Sequence, residues 1–61
     1  MSRNLLLAEI KETSETLGLF GAALREADMD GETITASDLR ALRGLICELY
    51  EIAALLEEEL D

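Results

Sequence analysis

The chain has no histidine, no proline and one cysteine, Cys47, in 61 residues. Without histidine neither a Ser-His nor a Cys-His pair can be assembled, and the hydroxyls of Ser2, Thr13, Ser14, Thr16, Thr33, Thr35 and Ser37 have no obvious base. Glu48 and Glu51 stand one helical turn apart, but two glutamates at that spacing are ordinary on a solvated face. A chain this short also lacks a concave pocket of catalytic size, so the expectation is a protein that is not an enzyme and uses no cofactor. A single cysteine excludes an internal disulfide. With no segment of signal-peptide character at the start, it points to a reducing, cytoplasmic location. The longest uninterrupted apolar run, Ile52 to Leu56, falls well short of the roughly 20 residues that cross a bilayer, so no membrane role is expected.

Basic residues are also scarce. Five lysines and arginines face fourteen aspartates and glutamates, a net charge of −9, and none of the bases follows Arg43. Direct binding to a phosphate backbone would work against the molecule's own field, so no direct nucleic-acid contact is expected. A basic protein is the better electrostatic match. Two copies of so acidic a chain, on a rod of helices about 10 Å across, would also suit a mimic of nucleic acid that occupies another protein's basic groove. An acidic face that serves only solubility is the plainer reading.

What the chain does have is two apolar stripes on either side of an acidic turn at Gly31. In the first half Leu6, Ile10, Thr13, Leu17, Phe20, Leu24 and Ala27 recur at four and three; in the second, Leu39, Leu42, Ile46, Leu49, Ala53, Leu56 and Leu60 do the same. That period predicts two helices packed on each other. Folding the chain at the turn pairs Leu24 with Leu39, Phe20 with Leu42, Leu17 with Ile46, Thr13 with Leu49, Ile10 with Ala53 and Leu6 with Leu56, an antiparallel register. Asn4 is the expected N-cap of the first helix. Thr35 and Asp38 form a capping box for the second, with Ile34 and Leu39 as its hydrophobic staple. Glu57, Glu58 and Glu59 sit where the helix dipole disfavours negative charge, so the last turn is expected to fray. Gly18 and Gly21 weaken the first helix by about 1 kcal/mol each relative to alanine and leave room for a neighbour's side chain. The Thr13–Ser14 step offers either a polar layer or hydroxyls bonded back to their own helix.

Leu45 and Ile52 widen the second stripe to three positions per heptad, more than one neighbour covers. With Leu7 and Gly21 they make a second apolar strip, on which two hairpins would form a four-helix bundle. A domain of this size buries only about 60% of its unfolded surface, so association is the expected route to stability. The expected fold class is therefore all-α. It is one helical-hairpin domain over 1–61, with a helix over about 4–27, an acidic turn over 28–35 and a helix over about 36–59, dimerising into a bundle. The residues expected to carry self-association or a partner are Leu6, Ile10, Leu17, Phe20, Gly21, Leu24, Leu39, Leu42, Leu45, Ile46, Leu49, Ile52 and Leu56.

Two features suggest other chemistry. Glu26, Asp28 and Asp30 precede Gly31 in a pattern resembling positions 1, 3, 5 and 6 of an EF-hand loop, but position 12 is then Ser37, and Asp38 closes the loop only if Thr33 is an insertion. An EF-hand also splays its helices, against the antiparallel register. The expectation is an acidic hairpin turn with no bound metal. Cys47 is expected as a buried or half-buried thiol at the border of the apolar face, with only Arg43 as a base within one turn. The function expected is non-catalytic: a small regulator, adaptor or inhibitor that binds another protein as a homodimer.

Overall fold

Helix propensity with no proline to interrupt it runs almost from end to end. In the computed structural model, which describes residues 3–60, α1 spans Arg3–Met29 and α2 spans Ala36–Leu60, with no strand among the described residues. Ser2 and Asp61 lie outside that range. Asn4, expected as an N-cap, stands inside α1, one residue past its first turn's start. α2 stays helical through its three glutamates to Leu60, with no basic residue in its last turn.

The connection between the helices is built from two complementary caps. At the end of α1 the Glu32 N–H donates to the Ala27 carbonyl at 2.9 Å and the Gly31 N–H to the Asp28 carbonyl at 3.1 Å. Gly31 has φ of +83°, the left-handed conformation that such a Schellman cap requires and that a side chain disfavours. Four residues later the expected capping box is present and reciprocal. The Asp38 N–H donates to Thr35 Oγ1 at 3.2 Å, and the Thr35 N–H donates to Asp38 Oδ2 at 3.0 Å. The carboxylate of Asp38 lies in the first turn of α2, where the helix dipole favours it.

The two helices lie against each other as a helical hairpin with extents of 46 × 17 × 13 Å. The smallest extent is that of a single helix with its side chains. The molecule is thus a layer one helix thick, and its interior is a single seam. On α1 the seam is Leu6, Ile10, Thr13, Leu17, Phe20, Leu24 and Ala27, every position of the stripe read from the sequence and no other. On α2 it is Asp38, Leu42, Leu45, Leu49, Ile52 and Leu56, which corrects the expected face by one position. Leu39 and Ile46 are each 49% exposed, and Ala53 and Leu60 are exposed as well. The pairings of Leu24 with Leu39, Leu17 with Ile46 and Ile10 with Ala53 therefore give way to a register that sets Asp38, Leu45 and Ile52 level with them. The physical reason is that α2 is apolar over a wide arc, so either edge of its stripe could face α1, and the hairpin turns Leu45 and Ile52 inward and Leu39 and Ile46 outward.

Among the described residues only Leu6 at 1% and Ile52 at 7% are buried apolar side chains. Thr13 is buried beside them, and no buried side-chain polar atom among the described residues lacks a partner. Bonding of a hydroxyl back to its own helix occurs at Thr16, which donates to the Glu12 carbonyl at 3.0 Å.

Since the caps hold the connection, Gly31→Ala should lower stability by about 1 kcal/mol through the strained φ, and Thr35→Ala by about 1 kcal/mol through the lost cap. Thermal unfolding followed by circular dichroism measures both.

Candidate functional site

The site is what the seam leaves outside. Antiparallel helices are related by a twofold axis perpendicular to the plane that contains them, so positions one residue beyond the seam on both helices look out of the same side of the layer. On α1 those are Leu7, Ser14 and Gly21, each following a seam residue; on α2 they are Leu39, Ile46 and Ala53, with Leu60 one heptad on. All seven are exposed. They form a continuous strip along one face of the hairpin, which Tyr50, 76% exposed, extends at its outer edge.

The strip differs in part from the one read in the sequence. Leu45 and Ile52 were expected in it and are instead enclosed by the seam, half-buried and buried respectively. Leu39 and Ile46, expected inside, take their places. Of the other proposed interface residues, Leu6 is buried, and Ile10, Leu17, Phe20, Leu24, Leu42, Leu49 and Leu56 are half-buried in the seam. Gly21 remains on the open strip. A Cβ placed on Gly18 or Gly21 would meet nothing within 4 Å, so neither glycine is required by contact between α1 and α2. Tyr50 belongs to neither stripe read from the sequence. Its signal is the spacing of Leu39, Arg43, Ile46, Tyr50, Ala53, Glu57 and Leu60, which alternates four and three.

Charge is divided between the faces. By helical periodicity Glu9, Glu12, Glu15 and Glu26 point away from the strip side of α1, as do Glu48, Glu51, Glu58 and Glu59 on α2. Glu57 alone of the glutamates stands in the strip, and Arg43 stands in it toward the turn.

Three shallow depressions on the surface are each lined by one helix only: Ala22, Arg25, Glu26 and Met29; Ala36, Leu39, Arg40 and Arg43; and Tyr50, Glu51, Ala54, Leu55 and Glu58. A cleft with two walls, where reacting groups could converge, is not formed by any of them. Cys47 is exposed and not the half-buried thiol expected, because it lies on the side of α2 opposite the seam. Among the described residues no three of the acidic or cysteine side chains gather in a way that could hold a metal ion. The turn is closed by its own backbone hydrogen bonds, which leaves the EF-hand resemblance without ligand geometry. No helix among the described residues is long and apolar enough to cross a membrane.

No protein-family model matches this chain, and no curated protein or solved structure matches it either. The exposed strip and the acidic faces are therefore the basis for a functional reading.

A turn held by caps in place of ligands should be indifferent to calcium. Millimolar calcium should give no binding heat by titration calorimetry and no change in Tm relative to chelator; a saturable heat would restore the loop as a metal site.

Proposed function

We propose that the chain is a non-catalytic protein-interaction module that works as a homodimer, two hairpins closed over the strip into a four-helix bundle. Such a dimer would act on another protein as a small cytoplasmic regulator, adaptor or inhibitor. The observation that carries this reading is the apolar strip left open by a layer one helix thick. Leu7, Leu39, Ile46 and Tyr50 are all about half exposed or more. A hairpin burying only Leu6 and Ile52 is a weak core by itself.

Surface area supports the same conclusion. A compact monomer of 6.7 kDa exposes about 3900 Å². This chain exposes 4830 Å². The surplus of roughly 900 Å² is close to the ~800 Å² that each partner gives up in a standard-size interface. Closing the strip on a second hairpin would turn one layer into two, the minimum that encloses a core on both sides.

A dimer formed through the strip keeps its acids outside apart from Glu57, because Glu9, Glu12, Glu15, Glu48 and Glu51 point elsewhere. The exterior then favours a partner with a basic surface. The same distribution favours a second reading, an acidic mimic that occupies a groove built for nucleic acid. Salt separates the two. A mimic's complex should weaken steeply between low and moderate ionic strength, whereas binding through a helix face should respond little.

The strip is tested by comparing two equally conspicuous leucine-type positions on opposite sides of the layer. Ile46→Asp should convert a particle of two chains into one of a single chain by light scattering, and Leu19→Asp, 74% exposed away from the strip, should leave the mass at two. Loss of the dimer in both variants, or in neither, would refute the assignment.

A further inference from the structure

We propose that the second copy lies with its turn at the opposite end, so that α2 runs antiparallel along α2 of its twin and Arg43 of each copy meets Glu57 of the other. This deepens the homodimer reading and rests on it. The first ground is a symmetry in the exposed face of α2. Its residues read Leu39, Arg43, Ile46, Tyr50, Ala53, Glu57, Leu60, all of them exposed. In reverse order the chemistry repeats: apolar, charged, apolar, aromatic, apolar, charged, apolar. Laid antiparallel on itself, Leu39 meets Leu60, Ile46 meets Ala53, Tyr50 meets Tyr50 across the axis, and the two charged positions meet with opposite sign. An interface closed by a twofold axis must be self-complementary in this way, since each contact occurs twice with the roles exchanged.

The second ground is the distribution of charge along the hairpin. The half nearer the turn sets Arg25, Arg40 and Arg43 against five acids, whereas the open half sets Arg3 and Lys11 against nine, among them Glu57, Glu58 and Glu59, so the open end is the more acidic. Turns at opposite ends bring the bases of one copy toward the acids of the other. Turns at the same end would gather both copies' terminal glutamates and lay α2 along α1 of the twin. Arg43 and Glu57 are fourteen residues apart, about 21 Å of helix, and in that layout they cannot pair. The third ground is shape. On α1 an axis at the level of Tyr50 falls beside Glu12 and Thr13 and sets Leu7 level with Gly18, where a Cβ would meet nothing within 4 Å in the isolated hairpin.

Charge reversal tests the layout. Arg43→Glu and Glu57→Arg should each weaken dimerisation by roughly tenfold, and the doubly reversed chain should recover to within a few-fold of the parent. A general effect of net charge predicts otherwise: from −9, Arg43→Glu would add repulsion and Glu57→Arg would relieve it, so the two would move the affinity in opposite directions. As an independent measurement, Tyr50→Cys in a Cys47→Ser background should form a covalent dimer under mild oxidation, with circular dichroism confirming that each variant is helical. Reversals that simply add, together with no cross-link at position 50, would overturn the layout while the parent chain's mass of two leaves the homodimer standing. A parent chain that is a monomer in solution would overturn both.

Discussion

Everything in this molecule follows from its being one helix thick. Two helices of 27 and 25 residues in contact share a single line of side chains, and each residue is either on that line or in water. There is no second layer to receive the flanks of the stripes. Among the described residues a seam of thirteen covered positions therefore takes two apolar side chains, Leu6 and Ile52, fully out of solvent, with Thr13 as the one buried polar residue. The hydrophobic effect scales with area removed from water, and a single line removes little. The geometry itself, more than any motif, argues for a further surface to complete the core.

The turn is what makes the thin layer possible. Antiparallel helices place the ends of like polarity at opposite ends of the hairpin, and the connection must end one helix and begin the next within six residues. The Schellman cap at Gly31 and the reciprocal Thr35–Asp38 box do this with backbone and side-chain groups that would otherwise be unsatisfied. The acids around the turn accordingly have two separable origins. Asp38 serves the cap of α2, while Asp28, Asp30 and Glu32 are exposed and leave the caps to the backbone. A pattern of acids and one glycine that resembles an ion-binding loop arises here from the needs of helix termination.

Much of this was legible in the residues. The seam of α1 follows directly from its stripe, because the large apolar residues outside it, Leu5, Leu7, Leu19 and Met29, form no second run at spacings of three and four, so periodicity admits one solution. The capping box was legible because few residues satisfy that backbone requirement. The seam of α2 was not. Leu42, Leu49 and Leu56 belong to it under any rotation, but Leu45 and Ile52 on one side and Leu39, Ile46 and Ala53 on the other are equally apolar, and periodicity cannot rank two edges of one wide stripe. Tertiary geometry decides between them, with Leu45 and Ile52 on the seam and Leu39, Ile46 and Ala53 outside it. That ambiguity also carries the functional information, for a helix that needs one neighbour has no use for two apolar edges.

The helices thus divide their tasks unequally. α1 sends Leu7 to the strip near the open end and otherwise turns small residues, Ser14 and Gly21, toward it, so that face is shallow along most of its side. α2 supplies the bulk on both faces, and the strip rises along it. In the proposed layout the ridge of α2 lies on its own counterpart, so along α2 the order of residues and not shape favours it: a twofold axis lets the charged and aromatic positions of α2 repeat symmetrically. Polarity is distributed on the same plan. The acids keep clear of the strip apart from Glu57, whose place there mirrors that of Arg43. A carboxylate in the last turn of a helix is unfavourable with respect to the dipole, and a guanidinium from a second copy would offset that cost and also define how the copies are oriented.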